Sequence, residues 1–166
     1  MMRVLGIDPG SRNTGIGVVE QTPDGLANVG FHCIRLGGDQ LPIRLGRIYH
    51  DTASIIERFK PDIVAVEQVF VSNNAKSALT LGQARGSAIC AAVNSSIPVV
   101  EYSALQIKRA VVGSGSARKE QVQHMVRVLL GLRENPGADA ADALACAICH
   151  IHTAQIESKL QMASAQ

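Results

Sequence analysis

Two short apolar runs in this chain each stop on a carboxylate. Residues 4–7, Val-Leu-Gly-Ile, run into Asp8 and then Pro9-Gly10; residues 63–66, Ile-Val-Ala-Val, run into Glu67. Each run is short, rich in β-branched residues and bounded by turn or polar residues, which is the pattern of a strand buried on both faces. A charge at the end of such a strand needs a partner or water, since burying it alone is costly. If the two strands are parallel neighbours, both carboxylates emerge at one sheet edge, and strand ends are where α/β proteins build their sites. Taken singly, each acid has a milder reading. Asp8 can initiate the turn before Pro-Gly, and Glu67 can reach solvent from a strand end.

The remaining elements fit around these two. Residues 15–19 read as a second strand leaving the glycine-rich turn. Residues 29–36 read as a third, preceded by the turn signal Pro23-Asp24-Gly25. Over residues 43–59, apolar positions at Ile48, Thr52, Ile55 and Phe59 mark one helical face, which Pro61 closes. Residues 73–94 are alanine-rich and helical in pattern, with Gly82, Ala84 and Gly86 allowing close approach of another helix or a second subunit. A strand is expected at 97–102, a helix at 104–112, a flexible basic loop at 113–119, an amphipathic helix through Val122, Met125, Val126 and Leu129, and a last helix after Pro136-Gly137. Strands first, then strands alternating with helices, predict one mixed sheet covered by helices. With 166 residues the chain is expected to form one domain over 1–157, with 158–166 as a flexible tail.

Only 3% of residues are aromatic and there is no Trp, so the core must be built from Val, Ile, Leu and Ala. The four cysteines, Cys33, Cys90, Cys146 and Cys149, lie in mostly apolar stretches and read as free buried thiols of a reducing compartment. Charges at Arg3, Asp8 and Arg12 interrupt the N-terminus before a signal sequence could form, and no apolar run is long enough to span a membrane. A soluble, cytoplasmic protein is expected. The net charge of +2 hides an uneven distribution: residues 68–133 carry eight bases against two acids, Glu101 and Glu120. A basic centre between acidic flanks points to a polyanionic partner held near a carboxylate site.

Near the start of the last helix, Asp139 and Asp142 stand three residues apart and share a face. Alone they could cap free N–H groups and meet the positive end of the helix dipole. Together with Asp8 and Glu67 they would repel one another and resist ionising at once. Hard divalent cations resolve that conflict: Mg²⁺ takes oxygen ligands and keeps waters and phosphate oxygens in its shell. Two such ions about 3.5–4 Å apart clamp the attacking and leaving oxygens of a phosphodiester. The pattern therefore fits metal-dependent phosphoryl hydrolysis, with the basic segment gripping DNA or RNA.

Three local motifs do not carry function. Residues 10–15 have half the spacing of a P-loop but lack its Lys-Ser/Thr. CAICH, residues 146–150, matches a haem-attachment pattern but lies inside an apolar helical run, with no second Cys/His pair at zinc spacing. GSGS, residues 113–116, lacks the third glycine of a dinucleotide fingerprint.

At this point the residues carry a family. GIDPGSRNTGIGVV, AVEQVF, ALTLGQARG, VEYSALQIKRAVVGSGSARKEQVQHMV and NPGADAADALACAICH occur in order across residues 4–152. In these stretches the chain resembles the RuvC family of bacterial Holliday junction resolvases, within the ribonuclease H-like superfamily. The resemblance implies an α/β, ribonuclease H-like fold: a five-stranded mixed sheet, its first three strands antiparallel, with helices on both faces. It implies a homodimer with two sites, each using Asp8, Glu67, Asp139 and Asp142 to hold two Mg²⁺ ions, with Mn²⁺ able to substitute. Some relatives place a histidine near the last acid, where this chain has Asp139. Lys108 and Lys119 match lysines that contact DNA near the cut, Lys119 steadying the scissile phosphate, and Phe70 matches an aromatic that stacks on bases at the opened crossover. The implied reaction is paired nicking of a four-way DNA junction in recombination and repair. It leaves 5′-phosphate and 3′-hydroxyl ends, in cooperation with the RuvA–RuvB branch-migration motor. Without the family, Lys108 and Lys119 would pass for surface charges and Phe70 for a core residue.

Three other readings stay open on residues alone. An actin-like or sugar-kinase-like ATPase also begins with a strand, an Asp and glycines, but needs a duplicated domain and a second phosphate loop that 166 residues do not supply. A junction-binding module would use the carboxylates only for capping and solubility. A related nuclease acting on RNA differs from the junction reading only through the family resemblance.

Overall fold

The computed structural model describes residues 1–68 and 74–164. Strands β1 (Met2–Asp8), β2 (Asn13–Thr22) and β3 (Gly25–Arg35) follow one another directly, and the chain then enters helix α1 (Leu41–Phe59). Strand β4 (Ile63–Glu67), helix α2 (Ala75–Asn94), strand β5 (Val99–Tyr102) and helices α3 (Ala104–Val112), α4 (Lys119–Leu129) and α5 (Ala138–Ser164) complete the order. The sheet has five strands in the order β3-β2-β1-β4-β5. β1 with β2 and β2 with β3 are antiparallel; β4 runs parallel to β1, and β5 parallel to β4. The two strands that end on carboxylates are thus parallel neighbours, with Ile7 opposite Val66 in the last pair before Asp8 and Glu67.

Alternation along β1 splits the core. Leu5 and Ile7 face α1 and α2, packing with Ile16, Val18, Val64, Val66, Ile48 and Ile56. Val4 faces the other layer with Val19, Ala65 and residues of α3, α4 and α5. That second layer owes its geometry to missing side chains. A Cβ on Gly6 would land on the carbonyl oxygen of Ala143, one on Gly15 on that of Asp139, and one on Gly17 against Leu144. Gly6 and Gly17 are opposite each other in the β1–β2 ladder. The facing turns of α5 present Ala140, Ala143 and Ala147, all buried. Helix and sheet therefore meet backbone to backbone along a glycine–alanine seam, which brings the first turns of α5 down onto the end of β1.

Local signals fix the smaller pieces. Ser103 and Gln106 form a reciprocal capping box at the start of α3, and the Gln121 side chain accepts from the Arg118 N–H at 2.8 Å to set the start of α4. α2 begins at Ala75, with Asn74 accepting from Ser77 N–H. Ala84 is fully buried, whereas Gly82 and Gly86 face open space. Of the three small residues expected to admit a partner, two remain on the outer face and Ala84 packs inward. The tail expected from Ser158 continues α5 as helix to Ser164. No Gly or Pro interrupts residues 151–164, so a helix already nucleated against the sheet propagates past it. The cysteines are free, but Cys90 is exposed and Cys33 only half-buried, so burial holds for Cys146 and Cys149 alone. Among the described residues no helix is long and apolar enough to cross a membrane.

Candidate active site

Three elements deliver four carboxylates to one end of the sheet. Asp8 closes β1, Glu67 closes β4 beside it, and Asp139 and Asp142 come from the first turns of α5, seated over β1 and β2 by the glycine seam. The Asn135 side chain accepts from the Gly137 N–H at 3.0 Å, and Gly137 takes the left-handed φ of 82° that starts the helix. Lys119 is the first residue of α4, and its Nζ meets Asp142 Oδ2 at 2.6 Å. Glu67, Lys108, Lys119 and Asp142 line one cleft of about 220 Å³, closed at its base by Ile107, Val122 and Ala145. A larger hollow of about 620 Å³ lies elsewhere, lined by Tyr49, Glu57, Lys60 and Ile97 among others. It holds none of these carboxylates, so size alone would have misplaced the site.

The electrostatics record crowding. Burial pushes the Asp8 carboxyl up to about 7, and the charges of Asp142, Glu67 and Asp139 push it the same way, against the pull of Lys119. Glu67 is raised by burial and by Asp142, with Lys119 and Lys108 opposing. Lys119 is held protonated above its usual range by its hydrogen bond to Asp142 and the acids around it. On the β3 side, the Cys33 thiol donates to Asp139 Oδ2 at 3.7 Å.

An all-oxygen donor set with excess negative charge suits a hard divalent cation in its chemistry. In geometry the set is open: among the described residues no three Asp, Glu, His or Cys groups are drawn together tightly enough to hold a metal ion. One cationic group, Lys119, already offsets part of the charge. A cation of higher charge would draw in the acids that now repel one another.

Of the residues singled out from sequence, Asp8, Glu67, Asp139, Asp142, Lys108 and Lys119 come together here. Phe70 lies outside the described residues. Arg85, counted in the basic centre, is tied to Glu101 in an ion pair and is not free to meet a polyanion. Sequence reasoning did not find the Cys33–Asp139 contact, which depends on β3 pairing with β2 so that Cys33 stands opposite Gly15. It also missed a buried hydrogen bond of 2.8 Å between the Tyr102 hydroxyl and His150 Nδ1, which ties β5 to α5 behind the site.

Residues 4–150 match the family described as crossover junction endodeoxyribonuclease RuvC. The crossover junction endodeoxyribonuclease RuvC of Tolumonas auensis is 58% identical over 155 residues, covering 93% of this chain and 90% of that protein. Its counterpart in Cronobacter sakazakii is 57% identical over 168 residues, covering 98% and 97%. Among solved structures, T. thermophilus RuvC in complex with Holliday junction substrate superposes with a TM-score of 0.89 at 36% identity, covering 95% of this chain and 97% of that one.

Proposed function

We propose a function from one premise: this chain belongs to the RuvC family of crossover junction endodeoxyribonucleases. Its reaction is the hydrolytic resolution of four-way DNA junctions by paired, symmetric nicks that leave 5′-phosphate and 3′-hydroxyl ends. The observation that carries this reading is the meeting of Asp8, Glu67, Asp139 and Asp142 at one sheet edge with Lys119 against them.

The four carboxylates would hold divalent metal, Mg²⁺ in the cell with Mn²⁺ able to replace it. Bound there, the metal would supply an activated water and stabilise the leaving oxygen. Asp8 holds a proton up to about pH 7 and must give it up to serve as a ligand. Lys119, kept charged by Asp142, offers a cation beside the scissile phosphate, where a fixed positive group stabilises developing charge. Lys108, on the other wall of the same cleft, grips the strand next to the cut. Phe70 would stack on a base at the opened crossover, a contact worth about 1–3 kcal/mol.

Paired cuts need two sites. The outer face of α2 presents Leu79, 70% exposed, then Gly82, Gly86 and Val93, 59% exposed, at helical spacing. Two copies meeting across this small-residue face would form a two-fold dimer matching the near two-fold junction. Action on chromosomal junctions places the protein in the cytoplasm, downstream of a RuvA–RuvB motor.

The test is cleavage of a synthetic four-way junction with Mg²⁺ by wild type and Asp8→Asn, with linear duplex and an RNA–DNA hybrid alongside. Symmetric nicks on the junction alone, lost in the variant while binding persists, are expected. Binding without cutting by the wild type, across both metals and several core sequences, would reduce the carboxylates to structural residues. Preferential cutting of the hybrid would move the substrate to RNA.

A further inference from the structure

The cleft accounts for cations on one side of the carboxylates only. Lys108 and Lys119 lie beyond Glu67, toward β4 and β5. On the other side, toward β2 and β3, two further arginines reach the same sheet edge. Arg12 stands in the turn between β1 and β2, and Arg35 is the last residue of β3, opposite Asn13. Both are exposed, and among the described residues neither is in an ion pair.

The turn that carries Arg12 is braced from three directions. Thr14 Oγ1 donates to the Gly10 carbonyl at 2.8 Å, Arg44 Nη1 donates to the Ser11 carbonyl at 2.7 Å, and the Leu36 N–H donates to the Arg12 carbonyl at 2.9 Å. The last of these bonds ties the Arg12 turn to the chain just beyond Arg35. The Arg12 side chain takes no part in this bracing. Arg35 points to the α5 face of the sheet: it shares that face with Cys33, whose thiol touches Asp139, and it draws the thiol's proton affinity down against Asp139. It lies two ladder pairs beyond the Gly15–Cys33 pair, past the point where the α5 backbone covers the sheet.

We propose that Arg12 and Arg35 form a second phosphate grip, across the carboxylates from Lys108 and Lys119, holding the same DNA strand on the other side of the cut. The spacing suits this. From β3 to β4 is three strand spacings, about 14 Å, and the lysines lie beyond Glu67, so the two cationic groups stand far enough apart to hold different phosphates of one strand. A scissile phosphate at Asp8 would then have a cationic anchor upstream and another downstream. Such a two-point hold keeps the backbone in line over the acids, which otherwise repel it. This inference rests on the junction-cleavage reading and names how that site positions its substrate.

The experiment compares wild type, R12Q/R35Q, R12K/R35K and K108A on one junction. Binding is followed against salt with Ca²⁺ in place of Mg²⁺, and cleavage is followed as a neutral methylphosphonate is walked along the cut strand. Each site loses two phosphate contacts, so a dimer holding one junction loses four, and the salt slope of R12Q/R35Q should fall by about 4. Linkages on one side of the cut should cease to matter in R12Q/R35Q, and those on the other side in K108A. R12K/R35K should keep most of the slope. An unchanged slope and linkage map in R12Q/R35Q overturns the grip while leaving junction cleavage intact. A Lys variant as impaired as the Gln variant, or both sets silencing the same linkages, also overturns it. A wild type that neither binds nor cuts overturns both readings.

Discussion

Asp8 concentrates the chemistry at the scale of a single residue. In an unfolded chain its carboxyl titrates near 3.8; in the fold it titrates near 7. Between those values the folded state holds a proton that the unfolded state has lost, so this group's contribution to stability falls as pH rises from about 4 to about 7 and stays low above that. The metal-free protein should accordingly melt at a lower temperature at pH 8 than at pH 5, and Asp8→Asn should flatten that dependence; thermal melts across the range check both. Metal binding near neutral pH should release a proton, read by calorimetry in buffers of different ionisation enthalpy. Junction cleavage by Asp8→Asn should fall by at least ~100-fold, on the scale of losing one preorganised charged group, with binding retained. The placement of Asp8 and Glu67 at strand ends was legible in the sequence because each closes a short apolar run; only in combination with Asp139 and Asp142 did they point away from a turn or a solvent-facing charge. Arg12 and Arg35 were not singled out, because a surface arginine reads the same in sequence whichever end of the sheet a turn or ladder brings it to.

The seam between α5 and the first two strands decides the geometry of individual elements. Gly6→Ala or Gly17→Ala would drive a methyl into the α5 backbone or Leu144, and overpacking of this kind costs ~1–3 kcal/mol or more. Both variants should melt several degrees lower and lose cleavage out of proportion, because α5 carries Asp139 and Asp142; melting curves and junction cleavage together check this. Tyr102→Phe should cost ~1–3 kcal/mol, since the His150 ring would be left with no hydrogen bond in a site where Nε2 already has none among the described residues. Strand and helix positions followed from period and turn chemistry, whereas β4 beside β1 was only a condition on the two buried runs, which the parallel ladder meets. Two glycines of the first turn are small for different reasons: a Cβ on Gly10 would meet the Asn13 carbonyl oxygen across its own turn, whereas a helix backbone lies on Gly15, a contact between residues 124 positions apart in the chain. The helical end of α5 was hidden for a related reason, since composition does not show that a helix started by packing will run on after the packing stops.

Assembly matters at the scale of the whole molecule. The exposed α2 face with Leu79, Gly82, Gly86 and Val93 should carry the dimer, so Gly86→Arg should yield a monomer by sedimentation and convert paired nicks into single, uncoordinated ones. A variant that stays dimeric would move the interface elsewhere. No repeat or heptad marked this surface; the two glycines facing open space, flanked by exposed Leu79 and Val93, distinguish it from an ordinary helix exterior. The docking of the last helix onto the first strand has one more consequence, for a chain still emerging from the ribosome. Asp8 lies in the first strand and is made well before Asp139 and Asp142, which wait for the last helix. A nascent or truncated chain that lacks α5 holds two of the four acids and no helix to seat against the glycines, so it should not cut DNA until that helix has docked.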